Sequence, residues 1–513
     1  MQVLGDLVRL NAKRYPEKKA IIMDERSMTC AELNKTVNQM AHGLLSLGLK
    51  PGDRVGIWSR NCVEFIPICF AVWKCGAITV PINFRFKVDE LLYLLENAQL
   101  SMLFHSEELG EFTQEARQRR AASLLPISLS GAPLRGGTSL KELVSGQSDK
   151  EPSVEVDPAS AAMIMYTSGT TGHPKGALFT HVKELLDVTS LVLEGNLTYE
   201  DVMLVSGPMF HNGGISAQIL PALLFGCTCV ALGGSFDPEE VLSTVERHKV
   251  SVTMWVPTML AKLVAHPGID RYDLSSLRKI WYGSSAISDV VLDACLRVFK
   301  SDFYQFFGQT ESGMLLVLKP GDHAQRSRCT GREMCGAEVR VVDENGQDTA
   351  VGGVGEILGK HRPMGMERYY GMEKETEETI KDGWIHTGDL ARVEGQGYFT
   401  VVDRLKDMII SGAENIYCKE VEEVIREHPG VEEAAVFGIP DEMWGEVVCA
   451  AVVPKEGCSI SEDEIVELCA SRLSSYKKPK RVEFRDALPK NPAGKVVKKL
   501  LREPYWIGKT KRV

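Results

Sequence analysis

The sequence has 513 residues and a formal net charge of −10, so it lacks the basic excess that general nucleic-acid binding requires. Hydrophobic residues make up 44% and charged residues 25%, which is the composition of a globular protein and not of a disordered or fibrous one. Because a single hydrophobic core stops growing at roughly 250–300 residues, this length predicts at least two domains.

The first elements do not resemble export or membrane-insertion signals. Charged residues interrupt the apolar positions of residues 1–15, which indicates an amphipathic helix. The most apolar stretch, 63–82, contains Glu64, Pro67 and Lys74 and therefore predicts a buried helix followed by a strand.

The 13 cysteines form no Cys-x-x-Cys pair, which is typical of a reduced compartment. We predict a cytoplasmic protein without an integral membrane span or a structural zinc site.

Helical and strand-like patterns alternate through the N-terminal part. Thr29 followed by Glu32 is typical of a capping box, which would open a helix ending near Leu47. This alternation predicts a parallel sheet covered by helices. Further strand-like and helical segments support it, at 54–58, 78–80, 89–97 and 101–104.

A polar stretch at 117–157 interrupts the alternation, and it contains a basic cluster of Arg117, Arg119 and Arg120. A solvated helix face accounts for such a cluster, and peripheral contact with a membrane surface or a partner is the alternative. Alternation resumes at Ala161, and from 336 to 402 the pattern changes to short strands and turns.

After Asp403 the pattern is that of a compact α+β unit of about a hundred residues, the usual size of a small domain. Ser461 and Glu464 form a second capping-box pattern there. We therefore predict an N-terminal domain at 1–403 and a C-terminal domain at 404–513.

Residues 166–176, Tyr-Thr-Ser-Gly-Thr-Thr-Gly-His-Pro-Lys-Gly, form the most specific segment of the chain. Its glycines allow close backbone approach, and its hydroxyls and lysine can hold a polyphosphate. Pro174 stands where a Walker A loop needs glycine, so this is a different phosphate loop. The alternative is a surface turn. The candidate nucleotide-binding residues are Thr167, Ser168, Gly169, Thr170, Thr171 and Lys175.

Eight short segments resemble, in order, the motifs of the adenylate-forming (ANL) superfamily, and within it AMP-forming acyl-CoA synthetases, above all fatty-acyl-CoA ligases. They lie at 72–83, 166–176, 208–211, 282–285, 308–311, 386–389, 403–409 and 491–495. The resemblance implies an α/β fold in which a large domain of helix-covered sheets and a small β-barrel-like subdomain precede a mobile α+β domain. It also implies an acid–thiol ligase that uses ATP, Mg²⁺ and coenzyme A.

The resemblance assigns the first reaction step to three residues. Glu311 is similar to the magnesium-binding glutamate of the family, and Thr310 to the residue that contacts the α-phosphate. Lys495 is similar to the catalytic lysine that bridges the carboxylate and the α-phosphate in that step alone. Read without the resemblance, Lys495 is a solvated lysine in a basic tail.

The nucleoside contacts are carried over in the same way. Gly283, Ser284 and Phe307 match the wall that contacts adenine, although an aromatic residue at 307 could equally belong to the core. Asp389 matches the ribose-binding aspartate, and Arg404 the residue that contacts ribose or phosphate. The alternative for Asp389 and Arg404 is an ion pair at the protein surface, without a role in nucleotide binding.

The acyl pocket is assigned to His211, Phe306 and Gly308, with a core histidine as the alternative for His211. Gly308 stands where acetyl-specific relatives carry tryptophan, so the pocket is expected to be open beyond acetate. Phe306 stands where the family often has a small residue. Together, Gly308 and Phe306 therefore favour medium-chain, cyclic or aromatic acids over very long chains as substrates.

A further set matches the hinge and the face that meets the thiol in the family, namely Lys406, Ser411 and Gly412. Cys418 replaces a frequent proline there, which leaves the thiol acceptor open between coenzyme A and an acyl-carrier protein. Two further functions compete with a ligase, namely a luciferase-like oxidase and a non-catalytic acyl-binding protein. Retention of Lys495, Glu311 and Asp389 argues against the non-catalytic function.

Overall fold

The computed structural model describes residues 2–119, 121–167, 174–285, 287–326, 329–411, 414–490 and 495–507. The chain divides into two compact units. The first comprises 1–339 and 359–385, and the second comprises 340–358 and 386–513. The functional boundary predicted between 403 and 404 stays a prediction.

Strands and helices are numbered in chain order. The strands are β1 Lys19–Met23, β2 Arg26–Thr29, β3 Arg54–Trp58, β4 Ile78–Ile82, β5 Met102–His105, β6 Leu125–Ser128, β7 Thr138–Ser139, β8 Ala161–Thr167, β9 Lys175–Thr180, β10 Val202–Val205, β11 Thr228–Ala231, β12 Val252–Trp255, β13 Lys279–Gly283, β14 Asp302–Gln309, β15 Gly313–Leu318, β16 Gly331–Glu333, β17 Val339–Val342, β18 Val354–Lys360, β19 Arg368–Tyr369, β20 Ile380–Lys381, β21 Trp384–Val393, β22 Tyr398–Arg404, β23 Ile409–Ser411, β24 Glu414–Ile416, β25 Val431–Asp441, β26 Gly445–Pro454 and β27 Arg481–Phe484. The α-helices are α1 Asp6–Arg14, α2 Cys30–Ser46, α3 Phe65–Lys74, α4 Val88–Ala98, α5 Gly110–Arg119, α6 Leu140–Val144, α7 His181–Glu194, α8 Asn212–Gly214, α9 Leu220–Phe225, α10 Pro238–His248, α11 Pro257–Val264, α12 Asp289–Phe299, α13 His323–Arg326, α14 Glu373–Thr379, α15 Cys418–Arg426, α16 Glu462–Arg472 and α17 Lys498–Trp506.

The first unit contains a sheet in the order β7-β6-β5-β3-β4-β8-β9-β19. Its strands from β7 to β8 are parallel, as the helix–strand alternation predicted, and β9 and β19 are antiparallel additions. The β8–β9 hairpin carries the predicted phosphate loop, with Thr167 directly opposite Lys175. Ser168, Gly169, Thr170 and Thr171 lie outside the described residues.

A second sheet of the first unit runs in the order β2-β1-β11-β10-β12-β13-β14-β15-β16. The strands from β1 to β14 are parallel, whereas β2, β15 and β16 are antiparallel to their neighbours. In open parallel sheets, ligands bind beyond the carboxyl ends of the strands. This edge holds Ser284, which follows β13, and Thr310, which follows β14.

Helix caps predicted from the sequence are present. The Thr29 hydroxyl accepts a hydrogen bond from the Glu32 amide at 3.2 Å, and the Glu32 carboxylate accepts one from the Thr29 amide at 2.8 Å. Ser461 and Glu464 form the same reciprocal pair at the start of α16. Such boxes satisfy amides that the first helical turn leaves unpaired.

The basic cluster on α5 is engaged inside the first unit. Arg119 forms an ion pair with Asp89 at 2.7 Å, and the Arg117 guanidinium donates to the Arg135 carbonyl at 2.6 Å. Arg120 lies outside the described residues. These contacts agree with the interpretation of the basic cluster as part of a helix face. They do not test the alternative, which is contact with a membrane surface or a partner. Across the part of the chain that the structure describes, no helix combines the length and apolarity needed to cross a membrane.

The second unit combines two groups of strands. β17, β18, β21 and β22 are neighbours in that order, and they are the short strands predicted before residue 402. A separate sheet runs β24-β23-β26-β25 with β27 parallel to β26. Helices α15 and α16 pack on this sheet around buried Val, Ala and Ile side chains. The small C-terminal α+β domain predicted from the sequence is therefore present.

Candidate active site

The phosphate-loop hairpin meets the β14–β15 turn within the first unit. Thr167 ends β8, and its hydroxyl donates to Oε1 of Glu311 at 3.4 Å. Glu311 lies in the turn after β14, and its carbonyl accepts a hydrogen bond from the Met366 amide at 2.8 Å. Two sequence-predicted residues from distant parts of the chain are thus in contact, with Lys175 opposite Thr167 in the hairpin.

Tyr369 is a third member of this group, and no sequence motif indicated it. Its hydroxyl donates to Oε1 of Glu311 at 2.8 Å. The ammonium of Lys175 lies 5.0 Å from the centre of the Tyr369 ring, within the range of a cation–π interaction. Burial, together with the negative charge of Glu311, raises the pKa of Tyr369, so the hydroxyl stays protonated and donates. Tyr369 therefore connects the lysine of the phosphate loop to the glutamate.

The chemistry of this donor set fits a hard cation held together with phosphate. Among the described residues, no three or more His, Cys, Asp or Glu side chains converge on a point that could hold a metal ion. Mg²⁺ does not require such a cage, because it is commonly bound by one or two carboxylates, substrate phosphates and water. A half-buried Glu311, held by the hydroxyls of Thr167 and Tyr369, offers that single carboxylate.

The carboxyl end of β13 has backbone features that only certain residues permit. A Cβ atom on Gly283 would lie 2.2 Å from the carbonyl oxygen of Phe306, so the two strands require glycine at that position. Ser284 follows with a φ of 70°, a left-handed conformation that is uncommon for a residue other than glycine. Such conformations concentrate at ligand sites. Phe307 is half-buried on the neighbouring strand.

A β-bulge lies between Phe307 and Gly308, where β14 pairs with β15. A Cβ atom on Gly308 would lie 2.2 Å from the Gly313 carbonyl oxygen. Glycine at 308 is therefore required by backbone packing, in addition to the open pocket for which the sequence analysis assigned it. Bulges of this kind re-aim side chains next to active sites.

Phe306 is 2% exposed and packs edge-on against Trp281, with the ring centres 5.6 Å apart. Its ring therefore belongs to the wall of the core around this strand. His211, by contrast, is exposed, and its Nδ1 accepts a hydrogen bond from the Gly213 amide at 3.2 Å. That exposure excludes the core-histidine alternative for His211.

In the second unit, Asp389 and Arg404 lie opposite each other on β21 and β22. Their side chains form an ion pair at 3.3 Å, with Asp389 8% and Arg404 45% exposed. The ion pair that the sequence analysis kept as an alternative is therefore present. Because the Arg404 side chain is exposed, breaking this ion pair costs little free energy, and both side chains could instead contact a nucleotide. Their assignment to nucleotide binding stays a prediction.

The remaining predicted residues also belong to the second unit. The Lys406 carbonyl accepts a hydrogen bond from the Arg502 guanidinium at 3.0 Å. Ser411 ends β23, and Gly412 lies outside the described residues. Lys495 is half-buried and adjoins the bridge between Lys490 and Val496.

Comparisons with known proteins match nearly the whole chain. Residues 8–370 match the family described as AMP-binding enzyme, and residues 420–495 match the AMP-binding enzyme C-terminal domain. The chain is 38% identical to a feruloyl-CoA synthase of an Amycolatopsis species, over 98% of this chain and 99% of that protein. It is 32% identical to a fatty acid–acyl-carrier-protein ligase of Streptomyces coeruleorubidus, over 100% and 98%. A solved anthranilate CoA ligase in complex with anthranoyl-AMP matches with a TM-score of 0.92 at 26% identity, over 99% and 98%.

Proposed function

Because the chain belongs to the family of AMP-binding enzymes, we propose that it is an AMP-forming acid–thiol ligase that activates a carboxylic acid with ATP and transfers the acyl group to coenzyme A. The observation that carries this proposal is the contact of Glu311 with Thr167 and Tyr369, beside Lys175 of the phosphate loop. These groups supply the cation, hydroxyl donors and carboxylate that a nucleoside triphosphate and its counterion require.

The reaction has two chemical steps. In the first, a carboxylate oxygen of the acid attacks the α-phosphorus of ATP, the bond to the β-phosphate oxygen breaks, and acyl-AMP and pyrophosphate form. In the second, the thiol sulfur attacks the acyl carbon, AMP leaves with the bonding electrons, and the thiol proton is lost. Negative charge builds up in both steps, so pre-placed cations and donors lower the barriers.

We propose that Glu311 would hold Mg²⁺ together with the ATP phosphates. The bound ion would neutralise the charge of the phosphate oxygens. Thr167 and Tyr369 orient the carboxylate by donating hydrogen bonds to the same oxygen, Oε1, which leaves Oε2 of Glu311 for the cation. Lys175 holds the phosphates as a point charge. Thr310, on the adjoining turn, is assigned to the α-phosphate.

The nucleoside and acyl contacts are proposed from the motifs together with the backbone around them. Gly283, Ser284 and Phe307 would contact adenine at the carboxyl edge of the parallel strands. Asp389 and Arg404 would contact the ribose. The acyl group would lie near Gly308 and Phe306, behind the exposed His211.

Residues 404–513 are proposed to act as a mobile part of the enzyme, with Lys406 as the hinge. Lys495 would neutralise the carboxylate and the α-phosphate in the first step, and the Ser411–Gly412 segment would face the thiol in the second. A hinge of this kind needs only a few residues that absorb backbone rotation. The support for this movement is the sequence pattern.

We also propose a reduced, cytoplasmic location, because all 13 cysteines are free thiols.

An acyl-carrier-protein ligase is the second candidate, favoured by the 32% identity to the Streptomyces coeruleorubidus ligase. One experiment tests both. The purified chain is incubated with ATP, Mg²⁺ and a panel of medium-chain, cyclic and aromatic acids, and AMP and thioester products are identified by mass spectrometry with coenzyme A or a phosphopantetheinylated carrier protein. Acyl-CoA formation supports the first candidate, and acyl transfer to the carrier alone supports the second. No acyl-AMP with any acid would refute both.

A further inference from the structure

Helix α7 follows the phosphate-loop hairpin directly and buries charged side chains of a kind that helices normally expose. Lys183 is 6% exposed and Asp187 is 8% exposed. They stand four residues apart, so both lie on the same face of the helix. Burying a charged group is costly unless the group is paired or hydrogen-bonded. The contacts of these two side chains are therefore the place to look for the reason for their burial.

Asp187 contacts the backbone immediately after the turn that carries Glu311. Its Oδ1 atom accepts a hydrogen bond of 2.9 Å from the amide of Met314, near the start of β15. A Cβ atom on Gly313 would lie 2.7 Å from the same oxygen, so the carboxyl group lies against the end of the turn. Gly313 has a φ of 68°, which glycine adopts without strain. Asp187 therefore fixes the backbone on the C-terminal side of Glu311.

Lys183 contacts a second segment that touches the same turn. Its ammonium donates to the Met366 carbonyl at 3.1 Å and forms an ion pair with Glu367 at 2.8 Å. The Met366 amide in turn donates to the Glu311 carbonyl at 2.8 Å. Nε2 of His361 also lies 3.0 Å from the Met366 carbonyl oxygen, so Lys183 shares this acceptor. Met366 thus connects the helix to the backbone of Glu311.

The segment before β19 approaches the Glu311 turn so closely that a side chain would not fit between them. Gly365 has a φ of 78°, and a Cβ atom there would lie 2.9 Å from the Glu311 carbonyl oxygen and 3.0 Å from that of Ser312. Tyr369, on β19, donates to the carboxylate of the same glutamate. A displacement of this segment would therefore disturb both the backbone contact and the side-chain contact of Glu311.

We propose that Lys183 and Asp187 are positioning residues for the first reaction step, which hold the carboxylate of Glu311 in place for Mg²⁺ and the ATP phosphates. This inference rests on the proposed function, in which Glu311 holds the cation. Neither residue has to contact ATP, because each acts through backbone groups next to the glutamate. Groups that orient a metal-binding side chain typically contribute about 10-fold to 100-fold to metal affinity or activity. Apolar side chains at 183 and 187 would leave these buried backbone groups with fewer partners.

The first test measures binding of the cation and the nucleotide and does not depend on turnover. Calorimetry follows the binding of α,β-methylene-ATP to the full-length protein with and without Mg²⁺. Asp187→Leu should bind the Mg²⁺ complex about 10-fold or more weakly than the wild type, with equal affinities in the absence of Mg²⁺. Asp187→Asn keeps an oxygen that can accept from the Met314 amide and should retain most of the affinity. Leu186→Ala, at a 41% exposed position of α7, is the control and should bind as the wild type does.

For Lys183, the loss of an ion pair must be separated from the loss of positioning. Lys183→Met removes the partner of the Glu367 carboxylate and should lower the melting temperature. The double variant Lys183→Met/Glu367→Gln removes both charges and should recover much of that stability. Because it still lacks the donor to the Met366 carbonyl, it should keep the weakened binding of the Mg²⁺ complex. Recovery of wild-type binding together with stability would show that Lys183 acts through its ion pair alone and would overturn its positioning role.

The second test separates the two reaction steps. With the acid of the panel above that the wild type activates fastest, Asp187→Leu should form acyl-AMP about 10-fold to 100-fold more slowly and need more Mg²⁺ for half-maximal rate. Thioester formation from chemically supplied acyl-AMP should stay near the wild-type rate, because that step does not use the triphosphate. Equal losses in both steps with an unchanged Mg²⁺ dependence, or no change in either step, would overturn this inference and leave the proposed function standing. Absence of AMP formation by the wild type with every acid would overturn both.

Discussion

The hydroxyl of Tyr369 donates a hydrogen bond of 2.8 Å to Oε1 of Glu311, 58 residues away in the sequence. Because the acceptor is a carboxylate, such a bond contributes about 1.5–3 kcal/mol when it orients a group that acts in the reaction. Tyr369→Phe should therefore lower the rate of acyl-AMP formation by about 10-fold to 100-fold and raise the Mg²⁺ concentration needed for half-maximal activity. Pyrophosphate exchange measured across a Mg²⁺ series checks both effects.

The matched control for this prediction is Tyr370→Phe, which removes a hydroxyl from the next residue. The backbone amide of Tyr370 donates to the Gly176 carbonyl, and that contact persists in the variant. An equal loss of activity in both variants, or an unchanged Mg²⁺ dependence in Tyr369→Phe, would contradict the orienting role.

Tyr369 illustrates which parts of the site were beyond sequence reasoning. The capping boxes at Thr29 and Ser461 were predicted because their partners stand three residues apart, where local geometry alone decides the contact. Glu311 and the phosphate loop were found through motif order along the chain. The contact between Tyr369 and Glu311 depends on how β19 meets the β14–β15 turn, and no local pattern around Tyr369 indicates it.

The burial of Glu184 on α7 was not predicted, for a different physical reason. A carboxylate on a helix is normally placed on the solvated face, yet α7 buries Lys183, Glu184 and Asp187. Lys183 is compensated by an ion pair with Glu367 at 2.8 Å, whereas Oε1 of Glu184 meets no hydrogen-bond partner among the residues that the structure describes. A carboxyl group buried on a helix violates the rules from which sequence patterns are interpreted, and its burial therefore becomes visible only in the structure.

Gly308 gives a prediction that distinguishes backbone packing from pocket size. Because its Cβ atom would lie 2.2 Å from the Gly313 carbonyl oxygen, Gly308→Ala must displace the bulge between β14 and β15. We expect a loss of about 1–3 kcal/mol in unfolding free energy and a lower rate with every acid, irrespective of chain length. Denaturant titration and a chain-length series measure the two effects.

Gly321→Ala is the control, because a Cβ atom there meets no heavy atom within 4 Å. If Gly308→Ala kept its stability and lost activity with long acids alone, the pocket model would suffice and the packing argument would be wrong.

The raised pKa of Glu184 predicts an unusual dependence of stability on pH. Burial and the Asp187 charge raise it to about 8, from an ordinary value of 4.5. Between these values the unfolded chain has released its proton while the folded chain retains it. Unfolding is therefore favoured increasingly as pH rises from about 5 to about 8, by an amount on the order of a few kcal/mol.

Glu184→Gln carries no titrating group at this position, so its stability advantage over the wild type should grow across that pH range. Urea denaturation of both proteins at half-unit pH intervals measures the difference. Burial also raises the pKa of Asp187, to about 6, with the same sign, but Asp187 is present in both proteins. Parallel pH profiles for the two proteins would show that Glu184 does not titrate in this way.

A buried ion pair stands three residues after the predicted catalytic lysine. The ammonium of Lys498 lies 2.7 Å from Oε1 of Glu422, with side chains 15% and 9% exposed. Removing one partner of a buried pair costs about 3–5 kcal/mol when the other charge is left alone. Without Lys498, Glu422 would keep the longer ion pair with Arg426, at 3.6 Å, and the amide of Val436. Lys498→Met should therefore destabilise the second unit by about 1–3 kcal/mol, whereas Lys499→Met, at a side chain 46% exposed, should change stability by less than ~0.5 kcal/mol. Differential scanning calorimetry would resolve the loss, and equal melting curves would show that the pair contributes nothing.

Lys495 provides the test of step specificity. If its ammonium neutralises the carboxylate and the α-phosphate in the first step alone, Lys495→Ala should lower acyl-AMP formation by about 100-fold or more. The same variant should convert chemically supplied acyl-AMP and coenzyme A into thioester at nearly the wild-type rate, because the thiol attack does not involve this residue. Lys499→Ala removes an exposed lysine from the adjoining helix and should leave both rates unchanged. Single-turnover measurements of the two steps separate these outcomes. Equal losses in both would mean that Lys495 supports the second unit as a whole and does not act on one transition state.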